Sequence, residues 1–404
     1  MQLYLLALNP TDSVTEGFLP AARRLGLDVT VLTDQPEAHW AVYGGGGDGS
    51  GHVEVLECAV RDFHAVITRV SAHRGPDAVF SNSDHLQTQA ALAAAYFGLP
   101  AKSWQAALRT KDKAEMRRAL AAAGADTVWS VELPAGQDPF TVLAGLDVPY
   151  PCVVKPREGV ASEDVVRAEG PAELARLCAE IQARRPQAAL VVEEYLPGEL
   201  LTLETLGDGR TRQVLGGFRT RLSPPPYFIE ERLTFVPDRP PAVEAQVLSQ
   251  LDALGVGFGA CHTEFVVSGG RARLIEVNYR AIGDQCDLLL ADLLEVPLFE
   301  HILRVHLGES LPAGLGVRTG RAARLDYPYA RRAGTLTAAP GPADLTLGGV
   351  RLTYRPLRAV GEHHPLHHTN RDLLGVVRAV GPEQDAVDRA VTGFLAERTW
   401  EISS

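Results

Sequence analysis

Two neighbouring stretches combine acids, an amide and a guanidinium in a spacing that could bind ions. The first, LIEVNYR at Leu274–Arg280, has residue types that suit a β-strand, whose side chains point alternately to opposite faces. The packing face would carry Ile275, Val277 and Tyr279, and the polar face would carry Glu276, Asn278 and Arg280. Such a polar face is either solvated or a site for a cation and an anion.

The second stretch, CHTEFVV, precedes the first and is joined to it through SGGR. A turn centred near Gly269–Gly270 would make a hairpin that sets Glu264 across from Glu276. Facing carboxylates repel each other unless a cation lies nearby. With the amide oxygen of Asn278, they form the kind of oxygen ligand set that Mg²⁺ shares with phosphates. The alternative is a solvated face on which Arg280 neutralises the acids.

Two lysines occupy positions from which they could bind phosphate. Lys155 ends the apolar stretch PCVVKP, and the loop REGVASED follows, where amides around Gly159–Ser162 could form an anion nest. Lys113 opens a helix directly after Asp112, where a cation opposes the helix dipole unless an anion is close. An exposed lysine before a loop and a solvated helix end are the competing interpretations.

The stretch LVVEEYLPGELLTLE runs from an apolar strand into a chain reversal at Pro197-Gly198. The backbone there could offer an amide and a carbonyl to the edge of a purine, and Glu199 could accept ribose hydroxyls. An ordinary strand–turn–strand explains the same residues.

The elements that must position these groups change in character along the chain. The first hundred residues alternate strand and helix, which predicts a doubly wound parallel sheet. A strand-rich segment with helices extends to about Gly308, and a smaller α+β segment follows from about Glu309.

Composition excludes several classes of protein. A net charge of −11 argues against a nucleic-acid-binding surface. Five scattered cysteines without a CxxC pair favour reduced thiols in a cytoplasmic protein. The N-terminal residues indicate a strand and not a signal peptide, and no apolar run reaches the roughly 18 residues of a membrane helix.

Two further motifs are interpreted as loops. GGGGDGSG at Gly44–Gly51 lacks the strand and helix of a dinucleotide-binding turn. In HHPLHH, Pro365 interrupts helical pairing of the histidines, and no carboxylate or cysteine cluster joins them as metal ligands.

Taken in order, the lysine-bearing helix start, the Lys-Pro strand end, the EE-aromatic-apolar-PG turn and the Glu…Glu-x-Asn-x-Arg hairpin resemble the ATP-grasp superfamily. The resemblance covers nearly the whole chain. Within this superfamily, the chain resembles the carboxylate–amine ligases, and among these the L-amino-acid-ligase-like and siderophore-biosynthesis members. It implies a mixed α/β and α+β fold in three parts: a pre-ATP-grasp domain (residues 1–107), an ATP-grasp domain (108–308) and a C-terminal α+β lobe (309–404).

The resemblance also implies roles for individual residues. The ATP phosphates would contact Lys113, Lys155 and Ser162. Adenine would contact Glu193, Glu194 and Leu196, and ribose would contact Glu199. Mg²⁺, or Mn²⁺ in its place, would be bound by Glu264, Glu276 and Asn278, while Arg280 would stabilise the charge of an acyl phosphate.

The implied reaction is an ADP-forming ligation that joins a small carboxylate to an amine through an acyl phosphate. Its partners would be small molecules and not nucleic acid or membrane, and a homodimer is a further expectation because relatives are often dimers. For the substrates, Arg219 or Arg221 could clamp a carboxylate, and Glu230 or Glu231 could receive an amino group. A structural strand pair explains these residues as well. Two alternatives remain for the function, a biotin-carboxylase-like enzyme and a non-catalytic ATP-binding protein.

Overall fold

The computed structural model describes residues 1–43, 53–316 and 320–403. The stretch Gly44–Gly51, interpreted above as a loop, lies outside the described residues. Among the described residues, no helix combines the length and apolar character needed to cross a membrane.

The first part of the chain builds a four-stranded parallel sheet in the order β3-β2-β1-β4. Its strands are β1 (Gln2–Leu6), β2 (Asp28–Thr33), β3 (Glu54–Glu57) and β4 (Ala78–Phe80). Its helices are α1 (Leu19–Arg24), preceded by a π-helical turn (Ser13–Phe18), α2 (Pro36–Tyr43), α3 (Phe63–Ser71) and α4 (Gln87–Tyr96). The order in which strands are added to the sheet reverses between β1 and β4, and the loops that follow these two parallel strands meet at this switch point. In open parallel sheets this is where ligands bind.

Two helices and a small sheet follow. The helices are α5 (Trp104–Lys111) and α6 (Lys113–Ala122). The sheet is antiparallel, in the order β5-β8-β6-β7, and helices α7 (Pro139–Leu143) and α8 (Pro171–Arg184) accompany it. Its strands are β5 (Ser130–Leu133), β6 (Cys152–Pro156), β7 (Val166–Ala168) and β8 (Leu190–Glu194).

A ten-stranded antiparallel sheet forms the centre of the molecule. Its path is β14-β13-β9-β11-β12-β15-β20-β18-β17, and β10 pairs with β9 beside it. The first six strands in sequence are β9 (Leu200–Asp208), β10 (Arg212–Gly216), β11 (Phe218–Leu222), β12 (Glu230–Phe235), β13 (Phe258–Ser268) and β14 (Arg271–Asn278). Helices α9 (Pro241–Leu254), α10 (Cys286–Leu294) and α11 (Leu298–His306) belong to the same part of the chain.

Most of the C-terminal strands extend that sheet. They add β15 (Ala322–Asp326), β17 (Ala343–Leu347), β18 (Val350–Pro356) and β20 (Gly375–Gly381), with helix α12 (Gln384–Ala396) packed on them. A three-stranded sheet holds β16 (Gly334–Ala338), β19 (His363–His364) and β21 (Glu401–Ser403). Hydrogen bonding from β12 to β15 crosses the predicted boundary at residue 308, and one apolar core joins residues of all three predicted parts. The domain limits therefore stay a prediction.

Candidate active site

A cavity of about 800 Å³ lies between the small antiparallel sheet, the ten-stranded sheet and the N-terminal loops. The N-terminal sheet contributes the loops after β1 and β4, which reach the cavity through Asp12 and Asp84. The small sheet contributes Lys155, and the central sheet contributes Glu264 and Arg280. Groups predicted from distant stretches of sequence therefore face one space.

The hairpin of β13 and β14 has the predicted register. Glu264 pairs with Glu276, and Gly269 and Gly270 in the turn both have positive φ, at 58° and 75°. Glu264, Glu276 and Asn278 all line the cavity. Two carboxylates and an amide therefore share one face of adjacent strands, as the sequence predicted.

One residue of this hairpin corrects the predicted alternation. Phe265 pairs with Leu274, so the register shifts by one residue directly beside the Glu264–Glu276 pair. This bulge places Leu274 in the core with Val277, while Ile275 lines the cavity. The prediction that Ile275 packs beside Val277 and Tyr279 was wrong because a bulge inserts one extra residue into the period of two.

Lys113 lies at the start of helix α6 and contacts Glu276 directly. Asp112 caps the helix by accepting from the amides of Ala114 and Glu115. The Lys113 Nζ lies 2.9 Å from Glu276 Oε1, and the lysine is buried. Burial alone would lower the pKa of Lys113, but the Glu276 carboxylate raises it above its ordinary value. Glu276 is therefore the nearby anion that offsets the unfavourable position of a cation at the start of a helix.

Lys155, at the end of β6, belongs to a second buried ion cluster. Its Nζ lies 2.8 Å from Glu193 Oε2, and Arg117 donates to both oxygens of the same carboxylate at 3.0 and 2.9 Å. Burial would raise the pKa of Glu193, but Arg117 and Lys155 lower it to about 2. Burial also lowers the pKa of Lys155, an effect that Glu193 offsets only in part. The Glu193 carboxylate is thus committed to Arg117 and Lys155.

The strand β13 also carries a histidine that bridges two acids. His262 Nδ1 lies 2.8 Å from Glu204 Oε1, and its Nε2 lies 3.3 Å from Glu264 Oε1. Thr202 donates to the same oxygen of Glu204 at 2.7 Å. Burial would lower the pKa of His262, but the two carboxylates raise it to about 10. A protonated imidazole therefore orients Glu264.

Arg280 follows β14 and faces the N-terminal sheet. Its Nη1 donates to Ala281 O at 2.9 Å, and its Nε lies 3.9 Å from Asp84 Oδ1. Lys111 binds the other oxygen of Asp84 at 2.6 Å. Burial raises the pKa of Asp84, but Lys111 and Arg280 more than compensate and bring it below its ordinary value. Arg280 thus lies at the cavity wall within ion-pair distance of an acid in the segment that follows β4.

The predicted adenine hinge lies at the end of β8. Glu194 Oε1 accepts from Trp129 N at 2.9 Å and from Arg273 at 3.1 Å. The amides of Glu194 and Tyr195 donate to backbone carbonyls at 3.0 and 3.1 Å. Leu196 is buried and lines the cavity. The side chains of Glu193 and Glu194 are therefore both bound to other residues of the protein. This leaves the backbone near Leu196 as the candidate contact for adenine.

The loop after Lys155 contacts the C-terminal residues. Ala161 and Ser162 both have positive φ, at 57° and 56°, and both line the cavity. Asn370 N donates to Ala161 O at 3.2 Å, and Glu163 forms ion pairs with Arg185, at 2.6 Å, and with Arg371. The C-terminal segment therefore holds this loop over the cavity.

The residues predicted to bind substrate divide between the two faces of the sheet. Thr220 and Leu222 of β11 line the cavity, so the alternating Arg219 and Arg221 do not. Arg219 is exposed and pairs with Glu199, which is also exposed, at 3.2 Å. Arg221 pairs with Glu231 at 3.0 Å in a second cavity. The structure therefore does not bring either arginine to the large cavity.

Glu230 and Glu231 are separated in the same way. Glu230 lines the large cavity and accepts from Asn370 Nδ2 at 2.9 Å, whereas Glu231 lies on the opposite face. Burial and the nearby carboxylates of Glu264 and Asp284 raise the pKa of Glu230 to about 7.

Several residues of the site were missed in the sequence analysis, notably Arg117, His262, Glu204 and Asp84. His262 lies two residues before Glu264 on one strand, so the period of two already placed both on one face. Arg117 lies one helical turn after Lys113, on the same face of α6. For Glu204 and Asp84, the contacts join distant segments and leave no local signal.

The histidines of HHPLHH have structural contacts. His364 Nε2 lies 2.8 Å from Asp372 Oδ1, and the ring of His368 stacks on Tyr227 with centroids 4.3 Å apart. No group of three or more His, Cys, Asp or Glu side chains with the geometry of a metal site occurs within residues 1–43, 53–316 and 320–403.

Comparison with known proteins identifies the fold. Residues 148–288 match the sequence model of the ATP-grasp domain. No curated protein matches the chain by sequence. Among solved structures, an L-amino acid ligase from Bacillus licheniformis superposes with a TM-score of 0.81 at 19% identity, covering 100% of this chain and 99% of the other.

Two further structures cover the chain almost completely. The biotin carboxylase domain dimer of 2-oxoglutarate carboxylase from Hydrogenobacter thermophilus, in complex with MgADP, ADP and bicarbonate, has a TM-score of 0.71 at 16% identity, covering 99% of this chain and 90% of the other. The N5-carboxyaminoimidazole synthetase from Staphylococcus aureus, complexed with ADP, has a TM-score of 0.66 at 14% identity, covering 98% and 96%.

These matches show that residues 148–288 form an ATP-grasp domain, and that the chain shares its fold, over nearly its whole length, with the three structures named above. The resemblance stated from the sequence is confirmed at this level, and so is the mixed α/β and α+β fold.

Proposed function

We propose that this protein is an ATP-dependent, ADP-forming ligase that joins a small carboxylate to an amine through an acyl phosphate. One observation supports this most directly. Two buried lysines from separate segments face the same cavity as the paired carboxylates Glu264 and Glu276. Phosphoryl transfer needs mainly positioning and charge neutralisation, and these residue types supply both.

The residues present fit a magnesium ion shared with phosphates. Glu264 and Glu276 are directly opposed, and each already holds a cationic group, His262 or Lys113. This arrangement indicates that the pair of carboxylates is stable only with positive charge beside it. Together with Asn278 they supply three oxygen-bearing side chains, which leaves room for phosphate oxygens and water around Mg²⁺. When bound, Mg²⁺ or Mn²⁺ would neutralise phosphate charge.

The remaining roles follow from position. Lys113 and Lys155 would bind ATP phosphates, assisted by the loop containing Ser162. The backbone at Leu196 would contact adenine, and Glu199, at the exposed rim, would bind ribose. Because Glu193 is held by Arg117 and Lys155, we assign its carboxylate to positioning Lys155 and not to direct contact with adenine.

In the first step, a substrate carboxylate oxygen would attack the γ-phosphorus of ATP, and ADP would leave. Arg280 lines the cavity and would hold the carboxylate and then the acyl phosphate. In the second step, an uncharged amine would attack the acyl carbon, the C–O bond to phosphate would break, and inorganic phosphate would leave. The amine's proton would pass to a carboxylate or to the released phosphate.

Phosphate release by the full chain with ATP and Mg²⁺ tests the proposal. A panel of amino acids, hydroxy acids and other small acids, each with and without amines, should give release only with an acid–amine pair. Bicarbonate is included because a carboxylase would respond to it alone. Phosphate release without any acceptor would overturn the proposal. So would the absence of phosphate release with every acid–amine pair.

A matched pair of variants ties the activity to the hairpin. Glu276→Gln should lower kcat/KM by about 100-fold or more because it removes a proposed metal ligand. Arg271→Gln changes an exposed residue at the other end of the same strand and should leave the activity unchanged.

A further inference from the structure

The lining of the cavity is strongly acidic. Among the lining residues that the structure describes, ten are Asp or Glu and three are Lys or Arg. Lys113 and Lys155 are paired with Glu276 and Glu193 in the proposed phosphate region. Arg280 is then the one Lys or Arg of this described lining that remains to neutralise a substrate carboxylate.

Three further acids of the lining form no ion pair with a described residue. Asp12 accepts from Gln285 Nε2 at 2.7 Å, and Glu230 accepts from Asn370 Nδ2 at 2.9 Å. Asp284 is exposed to the cavity and has a φ of 53°, a left-handed conformation that is strained for a residue other than glycine. We call Asp12, Glu230 and Asp284 the acidic end. The carboxylates of Asp12 and Glu230 thus accept from amide side chains and not from cations.

A fourth group points independently to a hydrogen-bond donor as the ligand. Gln285 lines the cavity with only 3% of its surface exposed. Its Oε1 is buried and has no hydrogen-bond partner in the part of the chain that the structure describes. An orphaned acceptor beside carboxylates is what an ammonium group would satisfy, because an ammonium brings three donors and a positive charge.

The surroundings of the acidic end are apolar. Five residues of the cavity lining belong to one apolar core cluster: Val14, Cys286, Tyr327, Leu373 and Val376. Tyr327 donates to the backbone carbonyl of Asp284 at 2.8 Å, which fixes the wall between the apolar and acidic groups. A methylene chain would bury favourably here, whereas a carboxylate would lie beside three acids that repel it.

We propose, resting on the ligase function above, that the acceptor substrate is an alkyl diamine or polyamine without a carboxylate. One amino group attacks the acyl phosphate near Arg280. The second remains an ammonium held by the acidic end and Gln285, with the methylene chain against the apolar wall.

Binding to the full chain, with Mg²⁺ and a non-hydrolysable ATP analogue, tests the site without turnover. Calorimetry compares 1,4-diaminobutane with n-butylamine, which lacks the second ammonium, and with 4-aminobutanoate, which carries a carboxylate in its place. The diamine should bind at least about tenfold tighter than either. Equal affinity for the monoamine, or tighter binding of the amino acid, would overturn the proposal.

Variants locate the effect. Glu230→Gln and Asp284→Asn should each remove most of the preference for the diamine over n-butylamine. Glu231→Gln, the neighbouring acid on the opposite face of the strand, should leave it unchanged. Asp284 is exposed, so its variant tests the site even if Glu230→Gln fails to fold.

Turnover separates this proposal from the proposed function. Phosphate release with an acid and 1,4-diaminobutane supports both. Release that prefers α-amino acids as acceptors overturns the diamine proposal and leaves the ligase intact. Tight diamine binding without release from any pair overturns the ligase and leaves the ammonium site.

Discussion

Each carboxylate of the central pair is held by a positively charged side chain. Lys113 holds Glu276, and the protonated His262 holds Glu264. A divalent ion would therefore compete with Lys113 for Glu276 until a nucleotide phosphate takes over the lysine. The strength of the Lys113–Glu276 ion pair should therefore affect the affinity of the protein for divalent metal ions.

We expect Lys113→Met to raise the affinity for Mn²⁺ without nucleotide by about fivefold or more, because a largely buried ion pair, stronger than the roughly 1 kcal/mol of an exposed one, no longer competes for Glu276. In the same variant, kcat/KM for ATP should fall. Titration of bound Mn²⁺ by electron paramagnetic resonance measures the first effect. Arg118→Gln, at an exposed site of the same helix, is the control. Weaker Mn²⁺ binding by Lys113→Met would contradict the competition.

The buried cluster of Glu193, Arg117 and Lys155 makes a second residue-scale contribution, to stability. The native pKa of Glu193, about 2, lies below its ordinary value of 4.5. The native state therefore favours the charged form, and this contribution is fully present above about pH 4.5 and is lost as the pH falls toward 2.

We expect Glu193→Gln to lower the free energy of unfolding by roughly 3 kcal/mol at pH 6, because it leaves two buried cations without their anion. The difference from the parent protein should narrow below pH 4.5 as Glu193 becomes protonated in the unfolded parent. Urea unfolding at pH 6 and pH 3 measures both. Glu199→Gln, in an exposed ion pair, should cost less than about 1 kcal/mol. A difference in the free energy of unfolding that is larger at pH 3 than at pH 6 would contradict this prediction.

At the scale of elements, the sequence predicted what short-range pattern determines. The Gly269-Gly270 turn fixed the register that opposes Glu264 and Glu276, and the period of two placed Asn278 on the same face. The bulge at Ile275 could not be predicted, because a one-residue shift leaves no mark on a sequence that reads as alternating either way. The same period of two applies to β11, but it does not reveal which face of the strand meets the cavity. The sequence therefore could not show that Thr220, and not Arg219, lines the cavity.

The loop at residues 157–165 depends on a contact from the C-terminal segment. Arg371 pairs with Glu163, and its side chain is more than half exposed. An exposed ion pair contributes up to about 1 kcal/mol.

Arg371→Ala should therefore raise KM for ATP by about threefold to fivefold through looser closure of the loop, with a smaller change in kcat. Steady-state kinetics with varied ATP measure the effect. Arg389→Ala, at another exposed arginine of the C-terminal residues, should change neither parameter. An unchanged KM in Arg371→Ala would show that Asn370 and Arg185 suffice to hold the loop.

At the scale of the whole molecule, the cavity is formed jointly by several parts of the chain. The N-terminal sheet supplies the loops at its switch point, the small sheet supplies Lys155, and the ten-stranded sheet supplies the hairpin. The division predicted at residue 308 follows a Gly/Pro-rich connector in sequence, but the hydrogen bonds of β12 and β15 cross it. Strand pairing between distant segments is non-local, so composition could not reveal it.

This continuity predicts how the molecule unfolds. A fragment of residues 309–404 would leave the edge of β15 unpaired and expose Leu325, Val376 and Val380, which belong to the shared core. We expect the fragment to show no cooperative thermal transition, while the full chain unfolds its central sheet in one transition detected alike by circular dichroism and fluorescence. A four-residue insertion at the exposed Gly348-Gly349 turn, which interrupts no strand pair, should keep that transition. A cooperative melt of the isolated fragment would mean that β15 needs no partner from β12, and the C-terminal residues would then be a domain of their own.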